Sequence, residues 1–386
     1  MEKAELYDLF VSILKSRLNS ERICAETAEK ITPEILPALF RLSKAHDVAH
    51  IVGSALLSAE LLSEGKAKDA FINEINLSVY RYETMRYELE RIYGLLEGEK
   101  IKFMPLKGAV LRKFYPEPEM RSSCDIDIFV KPDSLDAAVR VLTGAGYTFK
   151  GKFAHDASLF SPSNVHLELH FRLDDSDKEK ERFFSSAFDS AKKFDGYEYG
   201  YVMDDAMFVA YFSSHMAKHF SGGGCGVRTF MDIAVMEREG FFGSDYSELV
   251  KKTGSDKFLR AARDLAEVWF GDKEMTPLLS QMQDFVMEGG VYGTKKTGSA
   301  ARQNKRKNKF VYIMKRIFLP FNEMIYTYPV LGKFPVLYPF IQVYRWFKFL
   351  FCPKTRRKAR EELEFNSTIT EEEKQKIADL CEKLGL

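Results

Sequence analysis

Two aspartates, Asp125 and Asp127, lie two residues apart in the segment RSSCDIDIFV, residues 121–130. They alternate with Ile126 and Ile128, which is the period of a β-strand, so both carboxylates are expected on one face of that strand. Neighbouring carboxylates repel each other and lose hydration when they are held side by side. A hard divalent cation such as Mg²⁺ or Mn²⁺ would compensate them. The alternative is an edge strand with a solvated acidic face. Repulsion also predicts that Asp127→Asn leaves the metal-free protein no less stable.

A second alternating segment, NVHLELHF at residues 164–171, carries a third carboxylate. His166, Glu168 and His170 share one face of this predicted strand. A third acid on a neighbouring strand would complete a two-metal site, in which one ion activates the attacking oxygen and the other steadies the leaving group.

Lys107 and Gly108 follow a short apolar run and precede a helical pattern that extends to Tyr115. A glycine at the start of a helix lets the backbone come close to a ligand, and the helix N terminus favours anions. This stretch is therefore a candidate phosphate-binding turn.

Together these motifs resemble a family of bacterial nucleotidyltransferase-like proteins of mostly unknown substrate, which is similar to the DNA polymerase β superfamily. Proteins of that superfamily have Gly-Ser or Gly-Gly at a helix start, an Asp-x-Asp on a strand and a third acid on a later strand. In this chain Lys107-Gly108 takes the place of the glycine pair. The residues that carry the resemblance are Lys107, Gly108, Arg121, Asp125, Asp127, His166, Glu168 and His170.

The resemblance implies a metal-dependent nucleotidyltransferase that uses two Mg²⁺ (or Mn²⁺) ions. An acceptor hydroxyl would attack the α-phosphorus of a nucleoside triphosphate and release pyrophosphate. A sugar or a peptide is the acceptor to expect from such relatives, and the sequence identifies neither acceptor nor base. The alternative is a non-catalytic module that binds a nucleotide or an anionic membrane on the same fold. The expected catalytic and metal-binding residues are Asp125, Asp127 and Glu168, and the expected nucleotide or phosphate contacts are Lys107, Gly108, Arg121, Ser123, His170, His219, Arg228 and Asp232.

A strong helical stripe from residue 204 to residue 219 contains His215 and His219, and the glycines 222–224 interrupt it. Arg228 and Asp232 follow on the next predicted helix. A His-x-x-x-His helix followed by an Arg and an Asp recurs in the family, which implies that these side chains face the active site. In the alternative, His219 caps its own helix and Arg228 pairs with Asp232 one turn later.

The elements that position these residues predict an α+β fold, in which a small mixed β-sheet is embedded between N-terminal and C-terminal helical regions. With 386 residues, of which 45% are hydrophobic, the chain can bury a large core. The expected regions are an N-terminal helical region (1–100), a nucleotidyltransferase core (101–175), a helical substrate-contact region (176–288), a flexible basic loop (289–309) and a basic aromatic helical region (310–386).

Composition points to a cytoplasmic protein. The net charge is +1, the five cysteines are scattered without a C-x-x-C pair, and the first residues have no signal-peptide character. No apolar run has the length of a membrane span. His46 and His50 lie four residues apart on one predicted helix, where a solvated surface is a better explanation than a metal site.

The last third of the chain is strongly basic. Residues 291–360 contain seventeen Lys or Arg and one acidic residue, and residues 310–351 contain fourteen aromatic residues interrupted by prolines. This pattern predicts short helices that either pack on the core, which is slightly favoured, or contact an anionic membrane at its inner face through Trp346 and its neighbours. Single-stranded nucleic acid is a third candidate partner, ranked below the other two.

Overall fold

The structure is a computed structural model that describes residues 3–174, 178–291, 293, 318–321, 324, 328, 330–351 and 370–386. Most of the predicted basic loop at 289–309 lies outside the described residues, as does a large part of the predicted aromatic region that follows it.

Helices make up most of the described chain, and they surround a five-stranded β-sheet. The helices are α1 (Lys3–Leu18), α2 (Ala25–Glu29), α3 (Leu36–Ala45), α4 (Ala49–Ser58), α5 (Lys66–Gly98), α6 (Gly108–Leu111), α7 (Leu135–Gly144), α8 (Lys178–Ser185), α9 (Asp205–Ser221), α10 (Val227–Arg238), α11 (Ser247–Lys252), α12 (Asp256–Phe270), α13 (Pro277–Gly289), α14 (Val330–Lys333), α15 (Tyr338–Phe351) and α16 (Glu371–Leu384).

The sheet has five strands in the order β1-β2-β5-β4-β3. The strands β2 and β5 are parallel, and the other neighbouring pairs are antiparallel. This mixed sheet, with helical regions before and after it in the chain, confirms the predicted α+β class. The strands are β1 (Phe103–Pro105), β2 (Asp125–Val130), β3 (Thr148–Lys152), β4 (Asp156–Phe160) and β5 (His166–His170), and a separate pair is formed by β6 (Lys192–Lys193) and β7 (Tyr201–Val202).

The two faces of β2 belong to different environments, as its alternating sequence predicts. Ile126, Ile128 and Val130 are buried in an apolar cluster that also contains residues of α5 and α7. Phe129 lies on the opposite face, in the larger cluster formed mainly by helices. Side chains alternate along a strand, so the face of Phe129 is also the face of Asp125 and Asp127. The acids therefore lie where the sheet meets the surrounding helices.

The region between α3 and α4 differs from its prediction. His46 follows the last residue of α3 and His50 belongs to α4, because the chain turns at Asp47, which has a φ of +54°. Both imidazoles are buried and are not on a solvated surface. His50 Nε2 lies 3.2 Å from the Met120 carbonyl oxygen, and His46 Nδ1 accepts a hydrogen bond from the Val227 amide at 3.2 Å. These contacts tie the N-terminal helices to the central region.

Among the described helices, none has both the length and the apolar character that crossing a membrane requires.

Candidate functional site

The parallel register of β2 and β5 brings the three expected carboxylates together. Asp127 lies opposite Glu168, and Asp125 lies opposite His166. Two overlapping sets of donors result, and within each set the candidate ligand atoms lie within 4.8 Å of one another. One set is Asp125, His166 and Glu168, and the other is Asp127, Glu168 and His170. Glu168 belongs to both sets, so it is the centre of the cluster.

Asp127 is a paired carboxylate. Its Oδ1 accepts a hydrogen bond from Lys107 Nζ at 2.9 Å and another from His170 Nε2 at 2.7 Å. Burial alone would raise the pKa of Asp127, but the Lys107 ammonium and the hydrogen bond from His170 hold that pKa well below its usual range. The structure therefore contradicts the picture of two uncompensated, repelling acids as far as Asp127 is concerned.

Asp125 has the opposite environment. No hydrogen bond reaches its carboxylate from the residues that the structure describes. Burial and the neighbouring Asp127 charge raise the pKa of Asp125. Of the two aspartates, Asp125 is therefore the one whose charge calls for an external cation.

Glu168 lies between two histidines. His170 Nε2 is 3.5 Å from Glu168 Oε2, and His166 Nδ1 is 3.9 Å from Glu168 Oε1. The hydrogen bond from His170 lowers the pKa of Glu168. Burial would lower the pKa of His170, but its bonds to Asp127 and Glu168 raise that pKa overall. His166 Nε2 is 2.8 Å from Ser158 Oγ on the neighbouring strand β4, which orients the ring.

Lys107 has an unusual backbone conformation. Its φ is +46° and its ψ is −115°, in a region where glycine is favoured over residues with a side chain. Lys107 thus has glycine-like dihedral angles although it carries a long side chain. Burial would lower the pKa of Lys107, but the nearby Tyr211 and Asp127 raise it, so the side chain is an ammonium.

Gly108 begins α6, as predicted, but this helix has only four residues and continues as a 3₁₀ turn at Arg112–Phe114. Such a short helix offers little dipole for an anion, because the macrodipole needs several aligned turns. A Cβ placed on Gly108 would lie 3.5 Å from Arg121 Nη1. Gly108 therefore lines the cavity beside a guanidinium.

Arg121 and Asp232 form a buried ion pair, with 2.7 Å between Nε and Oδ1. The Tyr115 hydroxyl donates a hydrogen bond to the same Oδ1 at 2.7 Å, and Arg121 Nη1 donates to the Ser122 carbonyl oxygen at 2.9 Å. Burial would lower the pKa of Arg121, but Asp232 raises it. This pair joins α10 to the segment that leads into β2.

Arg228 does not pair with Asp232, so the alternative of a pair within one helix is wrong. Its Nη1 lies 2.6 Å from Asp47 Oδ2 and donates to the Ser122 carbonyl oxygen at 2.9 Å. Ser123 Oγ accepts a hydrogen bond from Arg112 Nη2 at 3.0 Å.

His215 and His219 lie one turn apart on α9, and their Nε2 atoms are 3.1 Å from each other. Burial and the positive charge of Lys107 lower the pKa of each imidazole. Helix α9 ends at Ser221, where the Gly222 amide bonds to carbonyl oxygens of the last turn, and the His219 ring contacts His215 instead of capping the helix. Both rings face the cavity as neutral groups.

These side chains surround a cavity of about 460 Å³, the volume range of a small-molecule site. All eleven expected site residues line it. His215, which the family resemblance placed at the active site, also lines it, as do residues that were not assigned to the site from the sequence: Arg112, His155, Asp174, Tyr211 and Lys218.

His166 and Asp47 were also missed as site residues. The sequence alone placed His166 on the same strand face as Glu168. Its position opposite Asp125, which makes it a candidate metal ligand, follows only from the register of β5 against β2. Asp47 carried no sequence signal, since its contact with Arg228 joins positions 181 residues apart.

The donor set fits a hard divalent cation. The set contains three carboxylates and two imidazoles. No hydrogen bond from the described part of the chain competes for the Asp125 carboxylate. Mg²⁺ and Mn²⁺ prefer such oxygen-rich donors.

Comparison with known proteins agrees with this arrangement. A family model described as uncharacterised nucleotidyltransferase matches residues 34–271, which is more than half of the chain. No curated protein and no solved structure matches the chain. The matched segment contains every residue of the carboxylate cluster and both arginine pairs.

Proposed function

The chain belongs to the uncharacterised nucleotidyltransferase family, and we propose that it transfers a nucleoside monophosphate from a nucleoside triphosphate to an acceptor hydroxyl, with release of pyrophosphate. The observation that supports this most strongly is the register of β2 and β5, which places Asp127 beside Glu168 at the wall of a cavity. Asp125 extends this acidic edge by two residues.

In the proposed reaction the acceptor oxygen bonds to the α-phosphorus while the bond from that phosphorus to the departing pyrophosphate breaks in line. Glu168 receives the proton of the acceptor hydroxyl, because its carboxylate is only half-buried and lies at the centre of the cluster. Asp125, Asp127 and Glu168 form the acidic edge that would hold Mg²⁺ or Mn²⁺, and a bound ion would supply Lewis-acid neutralisation of phosphate charge.

Phosphate charge is also met by side chains of the chain itself. Lys107 uses one of the three donors of its ammonium on Asp127, which leaves donors for a phosphate oxygen. Arg121 and Arg228 present guanidinium edges to the cavity while their ion pairs hold them in place. The neutral His215 and His219 face the same space and are suited to hydrogen-bond a nucleobase or the acceptor.

The reaction is tested with nucleoside triphosphates labelled at the α-phosphate, supplied one at a time with Mg²⁺ or Mn²⁺ and cell extract. We expect α-label to enter an acceptor, no label to enter it from the γ-phosphate, and Asp127→Asn to reduce the signal to background. Asp133→Asn, which changes an exposed acid just after β2, is the matched control. Transfer of the γ-label would indicate a phosphotransferase, and transfer of neither label would favour the non-catalytic alternative.

We propose a second function for α15, which is contact with an anionic membrane surface at the inner face. Phe340, Tyr344, Phe347 and Phe351 recur at helical spacing along α15 and are all more than half exposed. The rings of Phe347 and Phe351 stack with their centroids 5.9 Å apart. Trp346 does not belong to this stripe, because it packs edge-on against Phe318.

The positive charge near this aromatic stripe favours an anionic lipid surface as its partner. Lys348 is exposed on α15, and five Lys or Arg follow in residues 354–360, which lie outside the described part of the chain. Attraction to anionic lipid contributes about 1 kcal/mol for each basic residue close to the surface. Amphipathic helices with aromatic residues on one face and basic residues nearby are typical of interfacial binding.

Co-sedimentation with vesicles of anionic phosphatidylglycerol and of neutral phosphatidylcholine tests this second function. We expect binding to the anionic vesicles at low salt, weaker binding at high salt, and loss of binding in the double variant Phe347→Ser, Phe351→Ser. The matched control changes two exposed aromatic residues of α5, Tyr80→Ser and Tyr87→Ser. Equal losses in both double variants, or no binding at all, would contradict the proposal, and competition by single-stranded DNA would point to nucleic acid.

A further inference from the structure

The carboxylate cluster already contains a fixed cation, the ammonium of Lys107. We propose that Lys107 takes the place of a second divalent ion, so that the site holds a single metal ion on the side of Asp125. This inference rests on the proposed function, since it concerns how the same site balances the charge of its carboxylates.

The contacts of Asp127 are the first argument. Lys107 Nζ at 2.9 Å and His170 Nε2 at 2.7 Å both lie on the same oxygen, Oδ1. A divalent ion bound to that oxygen would have to displace at least one of these donors. Both donors are held in place, since His170 is buried in β5 and Lys107 is fixed by its turn.

Charge balance is the second argument. Of the three carboxylates, Asp127 is already met by the Lys107 ammonium and by the donor nitrogen of His170. One divalent ion would compensate Asp125 and Glu168, whereas a second divalent ion would add positive charge beside Lys107 and His170. Unbalanced charge in a partly buried site is unfavourable because little water is available to solvate it.

The backbone of Lys107 is the third argument. Its φ of +46° with a ψ of −115° costs a residue with a side chain about 1–3 kcal/mol relative to a comfortable conformation. Glycine would avoid this cost at the same position. A lysine in a glycine-like turn is therefore best explained by the contact that its side chain makes.

The remaining donors define where the single ion binds. Asp125, Glu168 and His166 bring ligand atoms within 4.8 Å of one another. His166 Nε2 is engaged by Ser158 Oγ at 2.8 Å, which leaves Nδ1 directed toward Glu168. No hydrogen bond from the described residues competes for the Asp125 carboxylate.

The number of bound ions tests the inference without any assay of activity. Mn²⁺ alone is titrated into the full-length chain, and free Mn²⁺ is counted by electron paramagnetic resonance. We expect one Mn²⁺ per chain for the wild type and two for Lys107→Met, which keeps an unbranched side chain of nearly the same length but removes its charge. Lys107→Gly, which removes the ammonium and relaxes the turn, should also bind two. Lys113→Met, which changes an exposed lysine of the following 3₁₀ turn, should still bind one.

Asp125→Asn locates the ion, and we expect it to lose the Mn²⁺ that the wild type binds. Two ions in the wild type, one ion in both Lys107 variants, or retention of the ion in Asp125→Asn would each overturn the inference and leave the proposed reaction standing. No bound Mn²⁺ in the wild type would overturn both the inference and the metal-dependent reaction. Circular dichroism establishes that each counted variant is folded.

Discussion

Asp125 and Asp127 lie on the same strand, two residues apart, and we predict that replacing them with asparagine changes stability in opposite directions. Asp127→Asn removes the charge that holds Lys107 and His170. Asp125→Asn removes a charge that burial and Asp127 disfavour. Asparagine has nearly the same volume as aspartate, so the comparison isolates the charge.

The magnitudes follow from the contacts. A hydrogen bond to a charged group contributes about 1.5–3 kcal/mol, and Asp127 accepts two of them. Asparagine keeps a weaker form of these bonds, and the repulsion from Asp125 disappears. We therefore expect Asp127→Asn to lower the free energy of unfolding by about 2–4 kcal/mol. Asp125→Asn should leave it unchanged or raise it by up to about 1 kcal/mol, because it relieves repulsion without breaking a hydrogen bond.

Thermal unfolding at pH 7 in the presence of a chelator measures both changes. For a chain of 386 residues, 1 kcal/mol corresponds to about 1.2 °C, so Asp127→Asn should lower Tm by about 2–5 °C. At this pH Asp127 is fully ionised, since its pKa lies well below the usual range. A Tm that stays the same or rises for Asp127→Asn would show that repulsion dominates, and the pairing with Lys107 and His170 would then be refuted.

Further predictions concern parts of the fold that support the site. Asp232→Asn leaves the Arg121 guanidinium buried without its counter-charge and should cost about 3–5 kcal/mol in urea unfolding, whereas a loss under 1 kcal/mol would contradict a buried pair. Burial lowers the pKa of His46 to about 4, so protonation of His46 favours the unfolded chain. The free energy of unfolding should therefore keep its full value above about pH 6.5 and fall by about 3 kcal/mol as the pH drops to 4. His46→Gln should remove that part of the pH dependence. Gly53→Ala places a Cβ 3.0 Å from α5 and should cost about 1–3 kcal/mol, while Gly94→Ala, which meets nothing within 4 Å, should stabilise by about 0.5–1 kcal/mol. Equal effects of the two alanines would contradict the close packing of α4 on α5.

The local pattern of the sequence was enough for the strand of the two aspartates. Alternation of Ile126 and Ile128 with Asp125 and Asp127 requires opposite faces, because side chains of a strand alternate, and the structure has this arrangement. The long helix α5 and the final helix α16 were also predictable, since helical periodicity depends on neighbours a few residues apart. The strand β4 was not predicted, although it pairs with β5 and contributes Ser158, whose hydroxyl hydrogen-bonds His166.

What the sequence by itself determined is therefore which side chains share a face and which chemistry they offer: three carboxylates, an ammonium and several imidazoles. What only the tertiary structure decided is which of these charges meet. Lys107 reaches Asp127 across 20 residues, Arg121 reaches Asp232 across 111, and Arg228 reaches Asp47 across 181. The spacing of apolar residues in a helix or strand reports only on neighbours a few positions away. It cannot predict contacts between residues that are far apart in the sequence, because these depend on how whole elements pack. Only when the chain is folded does Asp127 therefore become a paired acid, while Asp125 has no hydrogen-bond partner in the part of the chain that the structure describes.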